Sequence, residues 1–85
     1  MLTIWKYPIP IQGEFTLNMP KGARVLTVQL QYGEPMIWML VDLTVERHDR
    51  VFALVGTGYA VPAGDYVGTF QLMGGNLVYH LFCKG

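Results

Sequence analysis

The sequence predicts an all-β domain, a small antiparallel β-sandwich or barrel-like fold of about six to seven short strands with little or no helix. Three observations carry this. Short runs alternate apolar and polar residues, the period of a half-buried strand. No segment of helix length shows a 3.6-residue apolar period. Ten glycines and five prolines among 85 residues interrupt the chain too often for one. Residues 1–85 are expected to form a single domain.

The elements follow in order. Leu2 to Tyr7 alternates, with Ile4 and Lys6 on one face and Thr3, Trp5 and Tyr7 on the other. Pro8 and Pro10 cannot donate to a ladder, which places this strand at a sheet edge. Glu14 to Met19 alternates with Phe15, Leu17 and Met19 inward, and Pro20-Lys21-Gly22 forms a turn. The stretch Arg24 to Val45 organises the rest. Its first strand sets Val25, Thr27, Gln29 and Gln31 against Leu26, Val28 and Leu30. Gly33-Glu34-Pro35 reverses the chain, and Met36 to Leu43 returns as an almost wholly apolar strand that needs cover on both faces. Leu43 to Asp49 is the least regular segment and could form a helical turn. Val51 to Val55 reads as a buried strand, closed by Gly56-Thr57-Gly58-Tyr59. Tyr66 to Met73 sets Val67, Thr69 and Gln71 against Gly68, Phe70 and Leu72. Gly74-Gly75-Asn76 signals a hairpin returning through Leu77 to Cys83.

Composition bounds the function. Hydrophobic residues make up 52% of the chain and charged residues only 14%, against about 25% charged in ordinary domains. A chain this short has much surface per residue, so the excess apolar area is expected to be covered by self-association into a homo-oligomer, the plain alternative being a monomer with an apolar surface dotted with Thr and Gln. Net charge is zero and no basic run exists, which argues against duplex nucleic acid. The longest apolar stretches, about eight residues, fall far short of the roughly 20 that span a bilayer. No membrane partner is expected. A single Cys83 without a disulfide partner fits a reducing, cytoplasmic setting.

Chemistry-bearing motifs are sparse. Gly56-Thr57-Gly58 follows a strand but lacks the remaining residues of a dinucleotide or P-loop fingerprint, so a tight bend is the better reading. His48, His80 and Cys83 supply too few ligands for zinc, and His80 and Cys83 have opposite strand parity. No metal and no cofactor is expected. The chain contains no serine, and Cys83, next to Lys84 in a terminal segment of expected poor order, has no base within sequence reach. Asp42, Glu46 and Asp49 read equally well as a solvated rim. No enzyme is expected. Thr27, Gln29 and Gln31 share one strand face and Thr69 and Gln71 another. If those strands were neighbours, their amides would form a neutral patch framed by Trp5, Tyr7, Trp38 and Tyr66, suited to a nucleobase, a glycan or a protein edge. The plain alternative is a solvent-facing β surface.

The ordered set IWKYPI, MPKGA, VQLQ-G-P, W-LVD, GTG, Y-GTFQ and G-LVYH-F resembles a family of short uncharacterised proteins encoded by tailed phages and prophages, over Ile4 to Phe82. Tyr59 stands where members often carry His, and Met19 where many carry Leu. The resemblance implies a setting in an infected or lysogenic bacterial cell and supplies no mechanism. The expectation is a non-enzymatic homo-oligomeric binding protein that modulates host physiology or counters host defence. A small nucleotide-type ligand would stack on Trp5, Trp38 and Tyr59, with the Gly56 to Gly58 backbone and Lys21 or Arg24 meeting phosphate and Gln29, Gln31 and Gln71 reading polar edges. The alternatives are a direct inhibitor of a host protein or a minor virion component.

Overall fold

The computed structural model describes residues 1–85. The alternating runs become seven strands: β1 (Leu2–Pro8), β2 (Glu14–Pro20), β3 (Arg24–Gln31), β4 (Glu34–Asp42), β5 (Arg47–Gly56), β6 (Asp65–Leu72) and β7 (Leu77–Cys83). A three-residue 3-10 turn, Met73–Gly75, joins the last two. The strands form two antiparallel sheets, one in the order β1-β4-β3 and the other in the order β2-β5-β7-β6. The fold is therefore an all-β sandwich, as the alternation predicts.

Period-2 patterning decides which side chains meet between the sheets. The three-stranded sheet sends Trp5, Tyr7, Val25, Val28, Ile37, Met39 and Val41 inward. The four-stranded sheet answers with Phe15, Leu17, Met19, Phe52, Leu54, Phe70, Leu81 and Cys83. Phe15 and Phe52 stack at 5.7 Å. β1 is an edge strand, where its terminal proline does no harm to a ladder.

Several local expectations need correction. The reversal after β3 is made by Tyr32 and Gly33, both at positive φ (51° and 78°). That is a two-residue primed turn, whose twist suits a hairpin, so Glu34 and Pro35 already belong to β4. Leu43 to Asp49 is no helical turn; the chain bends there and re-enters the sheet as β5 at Arg47. Cys83 does not lie in a loose end. It is buried in the core, with its Sγ accepting from Arg50 Nη2 at 3.3 Å.

The face assignment of β3 and β6 also changes. A bulge lies between Val25 and Thr27 on β3, and another between Tyr66 and Gly68 on β6. Each inserts one residue and reverses strand parity beyond it. Val25 therefore packs inward together with Val28, and Val67 packs against the core instead of sharing the face of Thr69 and Gln71. The two bulged strands meet across the sandwich, not in one ladder. An ideal Cβ on Gly68 would sit 2.6 Å from Val28 Cγ1, so the sheets close together here because residue 68 has no side chain.

Candidate functional site

The outer faces of the two sheets differ in character. On the four-stranded sheet, Val55, His80 and Thr69 form one row across β5, β7 and β6. Their side chains alternate outward, away from Leu54, Leu81 and Phe70. Just past the end of β5, Thr57 returns over this row. The His80 ring is held at both nitrogens: Nε2 lies 2.7 Å from Thr57 Oγ1 and Nδ1 lies 2.7 Å from Thr69 Oγ1. Thr69 Oγ1 in turn lies 2.6 Å from Tyr66 Oη. Four polar groups from one loop and two strands thus form a continuous chain, Thr57–His80–Thr69–Tyr66.

This chain borders a shallow open cleft of about 250 Å³ walled by Val55, Tyr59, Val61, Tyr66 and Phe82. Tyr66 meets Phe82 edge-on at 5.6 Å, which fixes one aromatic wall. The other wall, Tyr59, is 77% exposed. Its ring lies over Gly56, where an ideal Cβ would come within 3.3 Å of it. Gly56 is thus the residue that lets Tyr59 lie down against the sheet, and Gly58, at φ 94°, makes the bend that brings it there. The Gly-Thr-Gly segment is a bend that sets Thr57 over the His80 ring and Tyr59 over Gly56. No Lys or Arg lines the cleft.

The cations gather elsewhere. Lys21, His48 and Arg50 line a separate depression with Gly22 and Ala23. Arg50 donates from Nη1 to the Ala23 carbonyl at 2.7 Å, and Lys21 faces Glu46 at 3.9 Å. Arg50 and Gly56 lie on the same strand, six residues apart, so about 20 Å separates this cluster from the cleft. Within one chain, Lys21 therefore cannot meet a phosphate held at Gly56 to Gly58. Arg24 cannot do so either, since it lies on the other sheet, opposite Leu40.

The remaining anticipated site residues are also scattered. Trp5 turns inward from β1, with the Arg47 guanidinium 5.5 Å from its ring. Trp38 turns outward from the middle of β4, next to Lys6 and Thr27. Trp5, Trp38 and Tyr59 thus do not form one stack. Gln29 and Gln31 lie on β3 and Gln71 on β6, in different sheets that meet through Val28 and Gly68, so no joint amide patch forms. Gln31 instead accepts a hydrogen bond from Lys6 Nζ, which reaches across β4. The carboxylates separate too. Asp42 accepts from the Thr44 hydroxyl and backbone N–H, Asp49 accepts from Asn18, and Glu46 faces Lys21. No group of three or more His, Cys, Asp or Glu side chains converges.

The outer face of the three-stranded sheet is apolar at its centre. β4 presents Met36, Trp38 and Leu40 there, β1 presents Leu2 and Ile4, and Lys6, Arg24, Glu34 and Asp42 stand at the margins. Ile4 is 56% and Leu2 64% exposed. The inner face of β4 is fully buried at Ile37, Met39 and Val41. The strand expected to be covered on both faces is covered by the other sheet on only one, and its outer Met36, Trp38 and Leu40 are half-buried among their neighbours.

Fold and site together define a small two-sheet antiparallel β domain with a ring-sized surface cleft and an uncovered apolar sheet face. The chain belongs to a family known as a domain of unknown function, DUF7352, whose pattern it matches over residues 1–85. No curated protein and no solved structure matches it. No helix of the chain is long and apolar enough to cross a membrane.

Proposed function

We propose that this chain is a non-enzymatic binding protein that works as a homo-oligomer. Copies join through the outer face of the three-stranded sheet and hold a small ligand in the cleft beside Tyr59. The observation that carries the reading is an apolar outer sheet face with no second layer over it: exposed Leu2 and Ile4 on β1 beside half-buried Met36, Trp38 and Leu40 on β4. A second copy is the fitting occupant. The face carries both charge signs at its margins, so it can complement itself in an isologous contact. The zero net charge leaves no long-range repulsion between copies. Three strands about 4.8 Å apart and seven to nine residues long give a face of about 400 Å², below the roughly 800 Å² per partner of a standard interface. The association is therefore reversible and concentration-dependent.

The resemblance to phage and prophage proteins supports a setting in the cytoplasm of a host bacterium. The role proposed there is to modulate host physiology or counter host defence by sequestering a ligand. Direct inhibition of a host protein is the second reading, favoured by the same apolar face. A minor virion component is the third. A dilution series followed by tryptophan emission tests the seam. In a Trp5→Phe variant only Trp38 reports, and its emission should move to longer wavelength as the protein is diluted. Emission independent of concentration from about 1 μM to 1 mM contradicts the seam.

A further inference from the structure

The geometry points to a ligand class for the cleft: an uncharged, flat, nitrogen-bearing ring of nucleobase type, read along its polar edge by the Thr57–His80–Thr69–Tyr66 chain. This rests on the reading of the protein as a binder. The walls are two tyrosines and three aliphatic or phenyl side chains, which favour a planar apolar face. The absence of any Lys or Arg from the lining leaves nothing to compensate a phosphate, so the ring is recognised without one.

The hydrogen bookkeeping of the chain gives the site a further property. A neutral imidazole has one N–H and one lone-pair nitrogen. If Nε2 carries the proton, it donates to Thr57 Oγ1, and Nδ1 accepts from the Thr69 hydroxyl, which accepts from Tyr66 Oη. The Thr57 hydrogen is then free, and Thr57 presents a donor and one lone pair to the cleft. If Nδ1 carries the proton, it donates to Thr69, and the Thr57 hydroxyl must donate to Nε2. Thr57 then presents only lone pairs. One tautomeric shift at His80, at 2.7 Å from both threonines, therefore converts Thr57 from a group that can donate and accept into one that can only accept. The site can satisfy a ring whose edge offers an acceptor and an isostere whose edge offers a donor.

Adenosine and inosine are the matched probes, since position 1 of the purine is an acceptor in the first and a donor in the second. The full-length protein is titrated with each while the His80 ring nitrogens are followed by long-range proton–nitrogen NMR. Both nucleosides should bind within about threefold of each other, with His80 held protonated at Nε2 in the adenosine complex and its Nδ1 tautomer more populated in the inosine complex. Thr57→Val should weaken both about tenfold or more, and adenosine monophosphate should bind no more tightly than adenosine. The inference is overturned if neither nucleoside binds at about 10 mM, if adenosine binds with His80 protonated at Nδ1 or the tautomer ratio is the same in both complexes, if Thr57→Val binds normally, or if the monophosphate binds about tenfold more tightly. A Trp38→Glu variant separates this from the seam. All cleft residues come from one chain, so nucleoside binding should survive in the monomer, whereas a wild-type monomer that binds adenosine contradicts the oligomer alone.

Discussion

Replacing Gly68 by Ala tests the packing that joins the two sheets. Residue 68 is not at positive φ, so its backbone accepts alanine, and the outcome depends on space. The new methyl would lie 2.6 Å from Val28 Cγ1, about 1 Å inside the 3.5–4.0 Å optimum for carbon atoms. Val28 is buried at 6% exposure, and its β-branch leaves it few rotamers. It cannot swing clear, so the sheets must part or the side chains strain. Overpacking of this kind costs about 1–3 kcal/mol. Loss of glycine freedom in the unfolded chain offsets about 0.4–1 kcal/mol, leaving about 1–2 kcal/mol of destabilisation. For a domain of this size that lowers Tm by roughly 5–15 °C. Urea unfolding at fixed protein concentration measures it. Val28→Ala removes the clashing methyl and costs about 2 kcal/mol on its own. If the clash is real, the double variant should lie about 1–2 kcal/mol above the sum of the singles. A neutral or stabilising Gly68→Ala, or strictly additive effects, would refute the reasoning.

Other outcomes follow from the same structure. Phe52→Ala empties a fully buried position stacked on Phe15 and should cost about 3–5 kcal/mol in urea unfolding. Trp38→Ala, on the outer face, should cost the isolated fold about 1 kcal/mol and weaken self-association by about 2 kcal/mol or more, read by sedimentation. Tyr7 Oη is buried without a protein partner, and its burial raises the phenol pKa above 10.0, partly opposed by the Arg47 charge. Tyr7→Phe should therefore be neutral or stabilise by up to about 1 kcal/mol. The raised phenol pKa disfavours the phenolate in the folded state, so the wild type should lose stability above about pH 10 and the variant lose less, as alkaline unfolding curves would show. The Thr44 hydroxyl, and then the Thr44 N–H and the N-terminal ammonium, hold the Asp42 pKa below its ordinary 3.8. A depressed carboxylate stabilises the fold above its unfolded pKa, and that contribution fades as pH falls through the folded value. Carbon-13 titration of Asp42 should show a midpoint below 3.8 that moves up in Thr44→Ala; an unmoved midpoint would assign the shift elsewhere.

Alternation located β2, where the inward Phe15, Leu17 and Met19 keep period 2, while β4 and the core of β5 were marked by continuous apolar runs, and in β5 Phe52, Ala53 and Leu54 are buried in succession. It failed at Leu26 and Val67, where one inserted residue reverses the faces. A bulge leaves no local mark when packing across the sandwich, here Val28 on Gly68, decides it. The turn after β3 was displaced because Pro35 resembles a turn residue, while the positive φ needed for a primed turn fell to Tyr32 and Gly33. Half of the cleft was legible. Gly56-Thr57-Gly58-Tyr59 was marked by its small residues. The role of His80 was not, because it depends on register. Counting back from the Gly74-Gly75 hairpin pairs Leu72 with Leu77 and so sets Thr69 opposite His80, a signal present in the sequence. The placement of Thr57 over the same ring required the tertiary structure.

Copies of this chain are proposed to meet at the apolar outer face of the three-stranded sheet. Chromatography coupled to light scattering, from about 1 μM to 1 mM, measures it directly on the wild type and on Trp38→Glu. The wild-type mass should rise with concentration from 9.6 kDa toward a multiple of it. The variant should stay at the single-chain mass with its circular dichroism unchanged. A wild type that holds the single-chain mass across the whole range, or a variant that associates as the wild type does, would contradict the claim.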